Sequence, residues 1–100
     1  MAITEVDSLR GRLRELLPEL KTEFGVGKLW IVGSRARGDN RPDSDLDLMV
    51  GFERRGISLI GFCRLERVLS EALGLKVDLV EEGAMNPRVS DSTARDALAV

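Results

Sequence analysis

Histidine is absent from this 100-residue chain, and Cys63 is its only cysteine. Without histidine, the chain has neither a Ser-His-Asp nor a Cys-His nucleophile. A single cysteine allows no internal disulfide bond and no cysteine-based zinc site. These absences therefore exclude histidine-dependent nucleophilic catalysis and stabilisation by an internal disulfide bond.

Long apolar runs are also missing. No stretch approaches the roughly 20 consecutive apolar residues of a membrane span, and the N-terminal segment has no apolar run of signal-peptide length. We therefore expect a protein of the reducing cytoplasm that does not bind membranes.

The chain also has no excess of basic residues. It contains 15 lysines and arginines and 17 acidic residues, which gives a formal net charge of −2. A general nucleic-acid-binding protein usually carries a basic excess, so we expect no direct nucleic-acid partner. Arginine nevertheless outnumbers lysine twelve to three. Because the guanidinium group suits bidentate phosphate contacts, local anion recognition remains compatible with this composition.

Hydrophobic periodicity predicts alternating helices and strands, and the 43% hydrophobic content indicates a globular core. Ser58 is expected to cap the central helix and Gly74 to end it. The pattern predicts one α/β (α+β) domain over residues 1–100, built on a small sheet. The predicted order is a helix at 4–24, a strand at 28–32, a loop at 34–44, a strand at 45–50, a solvated connection at 51–56, a helix up to residue 73, a strand at 76–80 and a short helix within 90–99.

Asp45 and Asp47 are two residues apart on a predicted strand, so their side chains should share one face. Two such anions repel each other unless a cation or hydrogen-bond donors offset them. Hard divalent cations such as Mg²⁺ prefer all-oxygen ligands of this kind. The pair therefore marks either the solvated side of an edge strand or a metal site.

Asp78 is the one acid within the otherwise apolar run Val77 to Val80. By itself it is either an edge residue, an ion-pair partner or a third functional carboxylate. If its strand lies beside that of Asp45 and Asp47, the three carboxylates converge and can hold two metal ions about 4 Å apart, as in phosphoryl-type transfer.

Gly33 and Ser34 follow the first predicted strand, at a point where the backbone either turns sharply or approaches a ligand closely. Exposed backbone N–H groups in such a turn can hold phosphate oxygens. Arg35 and Arg37 come directly after it, and each is either a surface arginine or a phosphate contact.

Together, these motifs resemble the nucleotidyltransferase superfamily related to DNA polymerase beta. The matching residues are Val32-Gly33-Ser34, ten intervening residues, Asp45-Leu46-Asp47-Leu48, and later Val77-Asp78-Leu79. The longer string GSRARGDNRPDSDLDLMV resembles the minimal nucleotidyltransferase (MNT) family in particular.

This resemblance implies the nucleotidyltransferase fold, a small mixed sheet with core strand order 1-2-3 packed against helices. It also implies residue roles. Gly33 and Ser34 would bind the triphosphate of ATP, and Arg35 or Arg37 would contact phosphate. The resemblance assigns two Mg²⁺ ions to three catalytic carboxylates, namely Asp45, Asp47 and Asp78, with Asp78 nearer the nucleophile.

The function implied by the resemblance is that of an antitoxin paired with a HEPN-domain ribonuclease toxin, in a type VII-like toxin-antitoxin pair. Catalytic members of the family transfer AMP from ATP to a toxin tyrosine. Two alternatives stay open: an antitoxin that neutralises its toxin by stoichiometric binding alone, and a nucleotidyltransferase acting on a small molecule. Homo-oligomerisation stays open as well.

Overall fold

The computed structural model describes residues 5–41, 43–53, 57–82 and 97–100. Within these ranges, three helices and four strands follow one another in an order close to the one predicted from hydrophobic periodicity. They are α1 (Glu5–Phe24), β1 (Val26–Val32), α2 (Gly33–Arg37), β2 (Leu46–Phe52), α3 (Leu59–Leu73), β3 (Val77–Glu81) and β4 (Leu98–Ala99).

The four strands form one mixed sheet with the order β3-β2-β1-β4. Strand β1 is antiparallel to β2 and to β4, whereas β2 and β3 are parallel and are connected through α3. The predicted mixed sheet and its core strand order 1-2-3 are therefore confirmed. Because β3 pairs only with β2, it forms one edge of the described sheet.

Helices α1 and α3 pack on the sheet and on each other. Both are amphipathic, and each buries a stripe of leucines spaced by one or two helical turns: Leu9, Leu13 and Leu20 on α1, and Leu65, Leu69 and Leu73 on α3. From the sheet, alternate residues of β2 join the same core: Leu46, Leu48 and Val50, all fully buried. Since strand side chains alternate between faces, Asp47 points away from this helical layer.

The helix ends follow the local signals in the sequence. The Ser58 hydroxyl accepts a hydrogen bond of 3.0 Å from the Gly61 N–H and so caps α3. Gly74 ends that helix in the left-handed conformation, with φ of 71°. Pro18 lies inside α1 without ending it.

Three predicted segments differ in the structure. The first turn of the predicted loop at 34–44 is a five-residue helix, α2, which is too short to leave a periodic pattern. Strand β2 continues to Phe52 into the predicted connection at 51–56, because pairing with Val26 on β1 extends it. The predicted helix at 90–99 is wrong at its end, since Leu98–Ala99 is a strand held by pairing with β1, and the rest of that helix lies outside the described residues.

No helix within the described ranges has both the length and the apolar character that a membrane crossing requires.

Candidate functional site

Asp47 on β2 and Asp78 on β3 are paired in the register of the two parallel strands. Register partners on adjacent strands point to the same face, and neighbouring strands lie about 4.8 Å apart. Asp45 comes just before β2, and its Oδ2 atom lies 3.7 Å from the Nζ atom of Lys76, just before β3. The expectation that the strand of Asp78 lies beside that of Asp45 and Asp47 is therefore confirmed.

The electrostatics of Asp47 reflect this crowding of acids. Partial burial raises the pKa of Asp47 above its ordinary value, and the carboxylates of Asp78 and then Asp45 raise it further. Arg37 and Arg35 act in the opposite direction without cancelling the shift. The two arginines therefore do not fully offset the negative charge of the three carboxylates.

The donor set fits a hard divalent cation, because all three side chains offer carboxylate oxygens and the repulsion at Asp47 would be relieved by positive charge. The side chains are not gathered around a single point, however. Among the residues that the structure describes, no three acidic, cysteine or histidine side chains form a ready metal-ligand group. Asp45 is instead turned towards Lys76, whose side chain is 79% exposed. Metal binding by these three aspartates stays a prediction.

The turn at Gly33 lies directly against Asp47. Gly33 has a φ of 75°, a conformation that side chains other than glycine rarely adopt. A Cβ atom at this position would also collide with the Asp47 carboxylate. Two separate constraints, the backbone conformation and the close approach to Asp47, therefore require glycine here. Ser34 follows in the first turn of α2, which has no side-chain cap.

The two arginines of the turn have different surroundings. Arg35 is only 5% exposed, and its guanidinium group contacts Glu5 and the Ser44 backbone carbonyl. Arg37 is exposed, and its Nε atom donates a hydrogen bond of 3.2 Å to the Asp39 carboxylate. Of the two arginines considered for phosphate contact, only Arg37 presents its side chain to solvent beside Asp47.

A comparison with protein families agrees with this geometry. Residues 13–100 match the family model described as the nucleotidyltransferase domain. The chain belongs to this family. The family resemblance inferred from the motifs is confirmed, and the chain is a nucleotidyltransferase.

Two relatives match this nucleotidyltransferase over the whole of both chains. The protein adenylyltransferase MntA of Thermococcus cleftensis is 34% identical over 100 residues, which cover 100% of both chains. A solved structure assigned to the minimal nucleotidyltransferases matches with a TM-score of 0.80 and 34% identity, again over 100% of each chain.

A more distant match shares the fold. It is a chain of the solved complex between a tri-AMPylated HEPN toxin of Shewanella oneidensis and an MNT antitoxin. The TM-score is 0.67 at 17% identity, and the match covers 92% of this nucleotidyltransferase and 68% of the other chain.

Sequence reasoning missed two residues that support the strand of Asp78 in this nucleotidyltransferase. The Ser70 hydroxyl accepts a hydrogen bond of 3.1 Å from the Val77 N–H, and the Glu66 carboxylate accepts one of 2.9 Å from the Leu79 N–H. These backbone groups flank Asp78 on the side of β3 that does not pair with β2. The spacing of Glu66 and Ser70, four residues apart on α3, is the only signal in the sequence, and it is common on helices.

Proposed function

We propose that this nucleotidyltransferase transfers AMP from ATP to a hydroxyl group of a partner protein, a HEPN-domain toxin, and acts as its antitoxin. The observation that carries the proposal is the alignment of Asp47 with Asp78, with Asp45 beside them and the Gly33 turn against Asp47. The name of the Thermococcus relative supports adenylyl transfer to protein, and the AMPylated toxin in the Shewanella complex supports the class of acceptor.

The nucleotide would be held by the turn between β1 and α2. The backbone N–H groups of Gly33 and Ser34 lie at the uncapped start of α2 and are suited to donate to triphosphate oxygens. Arg37 extends from the same short helix and is the arginine that we assign to phosphate contact. Its guanidinium group would offset the charge that the triphosphate adds beside three carboxylates.

Asp45, Asp47 and Asp78 would hold two Mg²⁺ ions. When bound, these ions supply positive charge to the attacking and leaving oxygens of the transfer. A bound metal ion would compete with Lys76 for the Asp45 carboxylate. The contact between Lys76 and Asp45 is a solvent-exposed ion pair, a type that contributes only about 0–1 kcal/mol.

In the reaction, the acceptor hydroxyl oxygen forms a bond to the α-phosphorus of ATP. The bond between the α-phosphorus and the oxygen that bridges to the β-phosphate breaks, and pyrophosphate leaves. Asp78, on the edge strand β3, is the carboxylate that we assign to accept the hydroxyl proton. Its side chain is exposed, which leaves room for a hydroxyl group carried by another protein. We propose tyrosine as the acceptor residue and the cytoplasm, which supplies ATP, as the compartment.

The test uses labelled ATP, Mg²⁺ and a HEPN-domain protein from the same genome. We expect the HEPN protein to become labelled by the wild-type chain, and labelling to be lost with the Asp45→Asn variant or after chelation of the metal. Asp43→Asn is the matched control, because Asp43 is an exposed acid two residues away that we place outside the site. Equal labelling by wild type and Asp45→Asn would contradict the catalytic proposal.

A second candidate function is stoichiometric neutralisation of the toxin without catalysis. One observation favours it: Leu59 and Ile60, at the start of α3, are 78% and 82% exposed. Adjacent large apolar side chains on a surface are typical of protein-protein contacts. If binding alone neutralises the toxin, the Asp45→Asn/Asp47→Asn double variant will protect cells as well as wild type does. If the double variant still binds the toxin but no longer protects cells, neutralisation requires catalysis.

A further inference from the structure

Arg35 is the one charged side chain that is buried among the described residues, at 5% exposure. Its Nη1 atom donates to the Glu5 carboxylate, and its Nη2 atom donates to the Ser44 carbonyl oxygen at 2.6 Å. Its Nε atom is buried without a hydrogen-bond partner. A buried guanidinium group with an unsatisfied N–H is costly, so its position calls for a reason beyond packing.

The contacts of Arg35 join three parts of the chain that are distant in sequence. Glu5 begins α1, Arg35 itself lies in α2, and Ser44 is the residue directly before Asp45. Through this one side chain, the first turn of α1 and the turn after β1 are fastened to the backbone that leads into β2. We call this set of contacts, Glu5–Arg35–Ser44, the arginine clamp.

We propose that Arg35 is a positioning residue for the transfer reaction: through the arginine clamp it fixes the backbone at Ser44 and so sets the direction of the Asp45 side chain. The proposal rests on the proposed function. It also distinguishes Arg35 from Arg37, since both terminal nitrogens of Arg35 already have hydrogen-bond partners within the chain. A group in this position acts on the reaction through Asp45 and has no need to touch the nucleotide.

The segment before β2 needs such support. The Ser44 N–H donates to the Arg41 carbonyl oxygen at 3.0 Å, and the Leu46 N–H donates to that of Lys76 at 2.9 Å. Asp45 lies between these two bonds, before the ladder of β2 begins. The bond from Arg35 to the Ser44 carbonyl therefore holds the peptide group that joins Ser44 to Asp45 itself.

The experiment compares Arg35→Lys and Arg35→Met with a matched control, Arg10→Met. Arg10 also links a helix to a backbone carbonyl, because its Nε and Nη2 atoms donate to the Ala99 carbonyl oxygen at 3.1 and 2.9 Å. Ala99 lies on β4, at the opposite edge of the sheet from β3. Lysine at position 35 keeps the charge but lacks the fork that spans Glu5 and Ser44. Should Arg35→Met fail to fold, Arg35→Lys and Glu5→Gln still test the clamp.

If Arg35 has a positioning role, its substitution should lower kcat and leave the KM for ATP nearly unchanged. We expect Arg35→Lys to lower kcat for transfer by about 10-fold to 100-fold, since small misplacements of catalytic groups have effects of this size. The KM for ATP should stay within about threefold of the wild-type value, because binding of the nucleotide is not changed. Glu5→Gln should show a weaker form of the same effect, and Arg10→Met should leave both constants at the wild-type values.

Amide hydrogen exchange of the metal-free, nucleotide-free chain provides a readout independent of activity. We expect exchange at Ser44 and Leu46, whose N–H groups donate to the carbonyl oxygens of Arg41 and Lys76, to be faster in Arg35→Lys, with no change in the centre of β1. If the wild-type chain transfers no AMP to any acceptor, the proposed function fails, and the exchange result still decides whether the clamp exists. Unchanged kcat and unchanged exchange in Arg35→Lys would overturn the inference. A raised KM for ATP with normal kcat would overturn it too, since it would make Arg35 a phosphate ligand.

Discussion

Asp47 and Asp78 occupy matching positions on the parallel strands β2 and β3 although they are thirty-one residues apart in the chain. The helix α3 fills about half of that interval and packs its leucines on the opposite face of the sheet from Asp47. The connection through α3 therefore covers the core. It also sets the register of β3 so that the Asp78 carboxylate lies beside that of Asp47.

Replacing Gly33 by alanine should abolish transfer, because the new Cβ would occupy the space of the Asp47 carboxylate. The control is Gly74→Ala. Gly74 has nearly the same φ, 71° against 75°, but has nothing within 4 Å of the added carbon. Both variants should lose about 1–2 kcal/mol of unfolding free energy from backbone strain. Only Gly33→Ala should lose labelling of the acceptor when both are assayed fully folded, so equal activity of the two would contradict the role of Gly33.

Replacing Asp47 by asparagine should stabilise the metal-free protein at neutral pH. The raised pKa of Asp47 means that the folded chain holds this proton more tightly than the unfolded chain does. The ionised carboxylate therefore destabilises the fold above its folded-state pKa, and the penalty disappears as the pH falls below the ordinary aspartate range. In the presence of a chelator, Asp47→Asn should melt a few degrees higher than wild type at neutral pH.

That difference should close as the solution is acidified, and the exposed control Asp43→Asn should show no such trend. A lower melting temperature for Asp47→Asn at neutral pH would contradict the electrostatic account. If the carboxylates bind metal, Mg²⁺ should raise the melting temperature of wild type and not that of Asp45→Asn/Asp47→Asn, because only the folded wild-type site gains the ligand.

Replacing Glu66 by leucine should weaken both the fold and the reaction. The substitution leaves the Leu79 N–H on the edge of β3 without its acceptor, a loss expected to cost about 1–3 kcal/mol. Because Leu79 adjoins Asp78, transfer should also fall under conditions where the variant is fully folded. Urea unfolding and acceptor labelling measure the two effects. Glu66→Gln keeps an acceptor oxygen and should retain most of both, and Glu71→Leu, at an exposed position on the same helix, should retain the activity.

Replacing Arg37 by methionine should weaken nucleotide binding. If Arg37 contacts the triphosphate, the variant should raise the KM for ATP by about tenfold, the equivalent of about 1.4 kcal/mol. The melting temperature should hardly change, since the Arg37 side chain is 46% exposed. Arg41→Met is the control, because Arg41 is an exposed arginine four residues away. The assignment would be wrong if both variants kept the wild-type KM.

The local elements of this protein were predictable because short-range chemistry sets them. Leucines at helical spacing determined α1 and α3, the Ser58 hydroxyl determined where α3 begins, and Gly74 where it ends. The spacing of the Gly33-Ser34 turn, the two aspartates and Asp78 also carried the family resemblance, which the family comparison confirmed.

Other features depended on contacts between distant residues. Strand β4 exists because Leu98 and Ala99 pair with β1, and two residues carry no periodic signal of their own. The five residues of α2 are likewise too few for a pattern.

Only the tertiary structure separated the two arginines of the turn. In the sequence, Arg35 and Arg37 both follow the Gly33-Ser34 pair within three residues, and the local pattern does not indicate which of them is buried. Arg35 is buried and contacts Glu5, thirty residues away, and the Ser44 carbonyl, whereas Arg37 remains exposed. The motifs alone were enough to predict which residue types the site contains. Contacts with Glu5 and Ser44 distinguish the buried arginine from the exposed one, because burial depends on contacts that no local pattern encodes.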